Sequence, residues 1–323
     1  MTTETFDIII PVADPDEKLG DLLAMIAVQT VTPGRIILME TVPSLTSDNV
    51  FGTAALKSLA AEKLRSVPQI GVTICPVERT DFDHAGTRRT ALAYSEAPYF
   101  LMMTQDAVPA DSDLCEKLLS RLTAEKAAIC YARQLARADA GDIEKVTRDF
   151  NYPAESRVKT KKDVAVLGIK AFFASNVCCL YDRKIYEELG GFPDHAIFNE
   201  DMIYARKVLD AGEKIAYEAE AKVVHSHDYT LSRQFCRNFD LGVSQADHPE
   251  TFGGIPSEGE GVRLVLCTIK KISPLHIPRL ILQSAAKYLG YRMGKRYRTL
   301  RLDTVKRCTS NPAYVKKYIE KEK

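Results

Sequence analysis

No stretch of eighteen apolar residues occurs in the 323-residue chain, so no segment is expected to cross a membrane as a helix. Met1-Thr2-Thr3-Glu4-Thr5 lacks the basic opening of a secretory signal, and the first apolar run extends only over 8–12, so no such signal is expected. The eight cysteines (Cys75, Cys115, Cys130, Cys178, Cys179, Cys236, Cys267, Cys308) include no Cys-x-x-Cys pair and mostly lie in apolar runs. That usage argues for buried thiols in a reducing cytoplasm rather than disulfides or zinc. The first strand-to-helix junction, Val12-Ala13-Asp14-Pro15-Asp16, has no glycine, which argues against the G-x-G-x-x-G fingerprint of a dinucleotide-binding domain. Aromatic interleaving among the basic residues of the C-terminal stretch is limited to tyrosines and no nucleic-acid motif occurs, so nucleic acid is not an expected partner.

What is present is an apolar content of 46%, enough to bury a large core, at a length that suits one large α/β domain with an appendage, or two small domains. The net charge of +1 conceals an asymmetry. Residues 263–323 carry 16 Lys/Arg against Asp303, Glu320 and Glu322, which leaves 28 basic and 40 acidic side chains for the rest. Such a split suggests a basic tail docking on something anionic. Asp7-Ile8-Ile9-Ile10-Pro11-Val12 reads as a strand, and residues 17–29, with Leu19, Leu22, Leu23 and Ile26 in phase, as an amphipathic helix. The alternation continues with strands at 35–39, 70–75 and 127–132 and helices at 53–65 and 111–122. It predicts an α/β fold with a mostly parallel sheet flanked by helices. Residues 133–164 are polar and weakly periodic, either a long functional loop or a partly mobile one. The run 171–181 reads as a buried strand in which Cys178 and Cys179 face opposite ways. Residues 183–189 read as a helix stopped by Gly190-Gly191, and 214–224 as a strand pair.

Four places carry candidate chemistry. Phe100-Leu101-Met102-Met103-Thr104-Gln105-Asp106 passes from apolar to polar and leaves Asp106 at the end of a buried strand, where ligands of open α/β sheets gather. The same carboxylate could equally cap the helix starting near 111. Phe82-Asp83-His84-Ala85-Gly86-Thr87-Arg88-Arg89 opens a helix whose free N–H groups and arginines suit an anion, or whose arginines are simply solvated with His84 packed inside. In Phe198-Asn199-Glu200-Asp201, Asn199 serves as N-cap and places two acids in the first turn, a position where acids also merely complement the helix dipole. His225-Ser226-His227, read as strand, sends both imidazoles to one face, as a metal ligand with a supporting partner or as structural residues.

In order and spacing, Ile8-Ile9-Ile10-Pro11-Val12, Phe82-Asp83-His84-Ala85-Gly86-Thr87-Arg88, Met103-Thr104-Gln105-Asp106-Ala107, Gly190-Gly191-Phe192 before Asn199-Glu200-Asp201, and His225-Ser226-His227 resemble a family 2 glycosyltransferase, and within it the bacterial rhamnosyltransferase branch. The likeness covers about residues 5–245. It implies a GT-A fold, a divalent Mg²⁺ or Mn²⁺, and inverting transfer from a nucleotide-diphospho-sugar, here dTDP-β-L-rhamnose, to a lipid-linked saccharide in cell-surface polysaccharide synthesis. By the same resemblance Asp201 is the catalytic base and Asp106 holds the metal. Pro11, Glu40, Asp83, Arg88, Gln105 and Asp106 serve the nucleotide-sugar, and Asn176 and Glu200 the acceptor. The sequence departs from the usual Asp-x-Asp by Thr104, which leaves one strong carboxylate and asks His225 or His227, with His227 preferred, to complete the metal site. A different donor such as a UDP-hexose in the same fold, or a non-catalytic sugar-nucleotide-binding assembly subunit, are the alternatives.

Beyond the likeness, a Gly-rich linker over 253–261 divides the chain into a 1–252 catalytic domain and a 253–323 basic helical extension. Ile277, Leu280, Ile281, Ser284, Tyr288 and Leu289 are expected along one helix face, with Arg279, Lys287, Arg292, Lys295 and Arg296 elsewhere. The pattern fits a helix lying on the anionic inner face of the cell membrane, or one packed on the catalytic domain or on a second subunit of a homo-oligomer.

Overall fold

The computed structural model describes residues 5–255 and 258–321; Pro256 and Ser257 of the expected linker lie outside the described residues. The first half alternates strand and helix: β1 (Phe6–Ala13), α1 (Glu17–Ala27), β2 (Arg35–Val42), α2 (Ala54–Lys63), β3 (Gly71–Glu78), α3 (His84–Ala91) and β4 (Tyr99–Met103). Next come β5 (Val108–Pro109), α4 (Leu114–Glu125), β6 (Ile129–Leu135), α5 (Asp142–Asn151), β7 (Arg157–Lys159), α6 (Val164–Leu167), β8 (Cys178–Asp182) and α7 (Arg183–Glu188). The last part runs α8 (Glu200–Asp210), β9 (Ile215–Val224), α9 (Leu231–Asp247), α10 (Pro249–Phe252), α11 (Glu258–Ile269), α12 (Ile277–Gly294) and α13 (Leu302–Cys308).

The strands form one sheet in the order β3-β2-β1-β4-β8-β6-β9-β5, with β7 added to β9. β1 to β4 are mutually parallel, whereas β8 runs antiparallel to both β4 and β6. Alternation along buried strands divides the core into two layers. Ile8, Ile10, Leu101, Met103, Cys178 and Leu180 pack with α1, α2 and α4 on one face. Ile9, Phe100, Met102, Cys179 and Tyr181 pack with α3, α7 and α8 on the other. Cys178 and Cys179 therefore do face opposite ways, and all eight cysteines are free.

Order reverses at β1, which has β2 on one side and β4 on the other, and such a reversal opens a crevice at the carboxyl ends of the strands. The β1–β4 ladder stops at Ile9↔Met102, two residues before Pro11. A proline, which has no N–H to offer, is thus accommodated where the two strands have already parted.

Four local expectations change. The apolar run 171–181 is a strand only from Cys178, in β8; its first residues end a 3-10 turn over Gly168–Phe172, in which Ala171 and Phe172 are buried. Residues 133–164 are not a long loop: they hold the end of β6, all of α5 and β7. Helix α5 has only Ile143, Val146 and Phe150 at helical spacing, a short stripe among seven polar or charged residues. The 214–224 segment is one ten-residue strand rather than a pair, with a register shift in its pairing at Ala132/Arg133 of β6. The helix expected from 111 begins at Leu114, without a side-chain hydrogen bond at its N-cap Asp113.

The C-terminal helices share a core with the body. Phe239 and Val243 of α9 cluster with Tyr297, Val305, Tyr314, Val315 and Ile319. Helix α12 lies so close along α9 that Gly290 and Gly294 leave no room for a side chain. A Cβ on Gly294 would overlap the Phe239 carbonyl and sit 3.0 Å from Gly242 Cα. Gly294→Ala is therefore expected to destabilise the fold by about 2 kcal/mol or more, read as a lower urea midpoint. Gly261→Ala in α11, where a Cβ meets nothing within 4 Å, should hold or raise it. The expected single apolar face of α12 is divided: Leu280 turns inward at 4% exposure, while Ile281, Leu282 and Leu289 stay more than half exposed. Among the described residues no helix is long and apolar enough to cross a membrane.

Candidate active site

The turn after β4 carries Asp106 to the crevice, and Gln105 fixes that turn because its side-chain oxygen accepts the Ala13 N–H at 2.7 Å, tying the ends of β4 and β1 together. The far end of β9 brings the histidines to the same point, the His225 N–H still donating to Leu135 O at 3.0 Å. His225 Nε2 lies 3.5 Å from Asp106 Oδ1 and His227 Nε2 3.4 Å from Oδ2. The two Nε2 atoms are 2.8 Å apart. Asp106, His225 and His227 each offer one ligand atom, and these atoms all fall within 4.8 Å of one another. Both histidines, not one, thus meet Asp106, although they follow the strand rather than lie on it.

Their surroundings decide whether this trio suits a cation. His225 Nδ1 is 3.0 Å from Gln134 Oε1, and Gln134 Nε2 donates to Tyr152 and Ser175, so the amide is oriented and its oxygen can only accept. His225 therefore carries its proton on Nδ1 and turns the Nε2 lone pair toward the Asp106 carboxylate. Burial pushes the pKa of His225 down and that of His227 down to about 3, the neighbouring ring adding to the effect at His227. Burial works against an ionised Asp106, but positive charge on the facing imidazoles, that of His225 first, holds the carboxyl below its ordinary value, so the carboxylate is the form that a cation at this point selects. Lone pairs of a neutral imidazole and an ionised carboxylate that face each other repel unless a cation lies between them, so the donor set fits a divalent cation. Glu144 of α5 secures the segment by accepting from Ser226 Oγ at 2.6 Å and His227 N at 3.1 Å, and the Tyr229 ring stacks on His227.

A cavity of about 280 Å³ is lined by both histidines, Thr104, Arg148, Arg237 and the start of α8 with Glu200 and Asp201. The adjacent acids are driven apart chemically. Glu200 is buried, 3.2 Å from Arg88 Nη1, and accepts from Asn176 Nδ2 at 2.8 Å. Burial raises its pKa, but Arg88 and then His84 outweigh it, so the group sits below its ordinary value. Asp201 accepts the N–H groups of Asn176 and Met202 at 3.0 and 2.7 Å but has no cation against it. Burial first, and the charge of Glu200 second, raise it to about 7. Two carboxyls pushed apart in this way are how a protein keeps one as a fixed charge and makes the other a proton acceptor near neutrality.

The remaining sequence-based candidates fall into place unevenly. Asn176 joins both acids and is held by Tyr181. Arg88 lines the same cavity but is engaged there by Glu200 and by His84 O at 3.0 Å. Asp83 caps α3 through Ala85 N and Gly86 N, and Glu40 accepts from Thr53 N and Thr53 Oγ1. Both of the latter carboxylates are buried in these contacts. Pro11 marks the parting of β1 and β4. Asn199 does not cap α8: it adopts the left-handed region at φ 64°, an excursion that asparagine tolerates. Sequence reasoning missed Gln134, Arg148 and Arg237. Arg237 stacks over the Phe198 and Tyr229 rings and makes no ion pair among the described residues. No spacing rule marks Gln134; only its position on β6, across from the end of β9, does.

Among solved structures, the chain superposes with a TM-score of 0.55 and 14% identity on the mannosyltransferase PcManGT of Pyrobaculum calidifontis, solved with GDP-Man and Mn²⁺, covering 98% of this chain and 79% of that one. It also matches S. aureus TarS residues 1–349, solved with UDP-GlcNAc, at a TM-score of 0.51 and 11% identity over 91% of each chain. The class is that of the GT-A fold, and the chain is a glycosyltransferase. The signature of glycosyl transferase family 2 matches residues 58–190. The chain is 38% identical over 320 residues to the O-antigen chain rhamnosyltransferase RfbN of Salmonella typhimurium, covering 95% of both. It is 41% identical over 248 residues to the O-antigen chain rhamnosyltransferase WbaN of Salmonella anatum, covering 75% of this chain and 78% of that one. The chain belongs to glycosyl transferase family 2.

Proposed function

We propose that this chain transfers L-rhamnose, with inversion, from dTDP-β-L-rhamnose to a lipid-linked saccharide in O-antigen-type polysaccharide synthesis. The observation that carries the sugar is the 38% identity across 95% of both chains with RfbN. The chemistry rests on Asp201 sharing one cavity with His225 and His227. An acceptor hydroxyl attacks the anomeric carbon, its proton passing to Asp201, as the bond to the nucleoside diphosphate breaks on the opposite side of that carbon. A divalent cation held by Asp106, His225 and His227 would supply charge to neutralise the departing diphosphate. The chain's own residues do the rest. Arg237, held between two aromatic rings, takes the part first assigned to Arg88 as the cation facing the diphosphate. Asn176 and Glu200 orient Asp201 and the acceptor beside it. The imidazole-rich donor set favours Mn²⁺ over Mg²⁺.

A panel of dTDP-rhamnose, UDP-glucose, UDP-galactose and GDP-mannose, assayed for nucleoside diphosphate release with a synthetic lipid-linked acceptor, tests the donor. Release from dTDP-rhamnose at least about tenfold faster than from the others is expected, a margin of about 1.4 kcal/mol in transition-state binding; faster release from a hexose donor would overturn the assignment. Contact with an anionic membrane is proposed through the outer side of α11 and α12, where Val262, Leu266, Ile281, Leu282 and Leu289 are exposed among basic residues. The full-length protein should float with vesicles containing anionic lipid, and Leu282→Glu with Leu289→Glu should abolish flotation. Equal partitioning of both proteins removes the membrane contact.

A further inference from the structure

We propose that the cavity between α5, the His227–Tyr229 segment and α12 seats a diphosphate group of a substrate, with Lys287 and Arg279 of the C-terminal helix as its cations. The inference rests on the glycosyltransferase reading and extends it by giving α12 a part in substrate binding. The cavity measures about 400 Å³ and is continuous in its walls with the catalytic one, since Arg148, His227 and Tyr229 line both.

Helix α12 and the turn before it present one side to this space. His276, Arg279, Gln283 and Lys287 all line it, at intervals of three, four and four residues that keep them in one row of a helix. Gly290 and Gly294 continue that row three and seven residues beyond Lys287 and press it against Phe235 and Phe239 of α9, so the direction in which Lys287 points is fixed by the contact between the two helices.

The acids around the cavity are already engaged. Asp142 Oδ2 is 2.8 Å from His276 Nδ1, Glu144 receives Ser226 Oγ and His227 N, and Asp228 Oδ2 is 2.8 Å from Arg137 Nη2. Arg148 donates to Gln134 Oε1 and reaches Glu144 only at 4.0 Å. Lys287 and Arg279 make no ion pair among the described residues. Burial first, and then the guanidinium of Arg148, lower the Lys287 pKa, and the attraction of Glu144, which has no ion-pair contact with Lys287, offsets them only in part, so a partly buried ammonium is left near a second cation. An anion with several oxygens relieves that repulsion, and a phosphate ester offers enough acceptors to meet a guanidinium and an ammonium together. Two groups in this reaction carry a diphosphate, the sugar donor and the lipid-linked acceptor. The shared chemistry is what the cavity recognises.

Titration with inorganic pyrophosphate in EDTA, which removes any contribution from a bound cation, tests the site directly. Lys287→Gln, and Lys287→Gln with Arg279→Gln, should bind pyrophosphate about tenfold or more weakly than the wild type, while Lys287→Arg retains binding. Steady-state kinetics then assign the source. A raised acceptor KM with a lipid-diphosphate saccharide, but not with the same saccharide on a neutral aglycone, places the acceptor there; a raised donor KM places the donor there. Unchanged pyrophosphate binding in the Lys287→Gln protein overturns the proposal, as does an unchanged KM for both substrates. The titration does not depend on the sugar, so a failed rhamnosyl assignment leaves it standing, and a flat titration in an active rhamnosyltransferase sinks the cavity alone.

Discussion

Asp201→Asn is expected to lower turnover by about 10² or more while leaving the donor KM within about twofold, because the amide keeps the shape of the carboxylate and can keep one of its two backbone contacts, but cannot accept the acceptor's proton. The pH dependence provides an independent reading. With Asp201 raised to about 7, the base is mostly protonated below neutrality, so wild-type kcat should climb about tenfold per pH unit up to about 7 and then level off. The same shift has a stability consequence with a definite sign. The folded chain holds this proton at pH values where the unfolded chain, with an ordinary carboxyl near 3.8, has lost it. Stability contributed by the protonated form is therefore full below about 4 and falls as pH rises through about 7. An asparagine there cannot take up that charge, so between pH 4 and pH 8 the melting temperature of the Asp201→Asn protein should fall by a few degrees less than that of the wild type, whatever constant offset the lost backbone contact adds. Near wild-type turnover in the variant, or a kcat flat from pH 5 to 8, would take the role away from Asp201.

Which of the two neighbouring acids does this work was not open to inference from Asn199-Glu200-Asp201 alone, since both fall in a first helical turn where acids are common. The distinction comes from partners distant in sequence: Arg88 and Asn176 bind Glu200, while Asp201 receives only backbone N–H groups. Elements with strong alternation were legible for the same reason that they are buried on both sides. The strands around Ile8 and Phe100 fall where the residues predict, and with them the position of Asp106 at a strand end, whereas the apolar run 171–181 is a strand only from Cys178. Helix α5 was harder to read because its apolar stripe is only Ile143, Val146 and Phe150, set within a polar, highly charged stretch. Its loss cost the sequence reading Gln134's neighbour Arg148 and the anchor Glu144, both of which act on the histidine segment. Nor does any rule of spacing link Glu40 to Thr53 or Asp83 to Ala196, contacts that give both carboxylates a part in holding the fold. The basic tail shows the converse: its charge was plain, but its seat on α9 depends on Gly242, Gly290 and Gly294, whose absence of a side chain gives no signal in a hydrophobic pattern.

Loss of the cation site should have the second large effect. Asp106→Ala is expected to reduce transfer by about 10² or more and to abolish the rise in melting temperature that saturating Mn²⁺ gives the wild type. A ligand present at about a hundred times its Kd adds about 2.7 kcal/mol to a folded state that alone binds it. The comparison must be made as the difference with and without Mn²⁺ in each protein, since deleting a carboxylate from between two neutral imidazoles changes the apo stability by itself. EDTA should erase the wild-type increment, Mn²⁺ should restore it at lower concentration than Mg²⁺, and Asp106→Ala should respond to neither. The histidines divide the question further. Because His225 and His227 both meet the carboxylate, alanine at either should weaken Mn²⁺ binding, whereas a site built on His227 alone would leave the His225→Ala protein unaffected. Gln134→Leu tests the support beneath them: without its oxygen, His225 loses the partner that keeps the proton on Nδ1, and Mn²⁺ affinity should fall about 10–100-fold with every ligand still in place. A melting increment that survives in Asp106→Ala would mean that the cation is bound elsewhere, and the burden of neutralising the diphosphate would shift to Arg237 and the cations of α12.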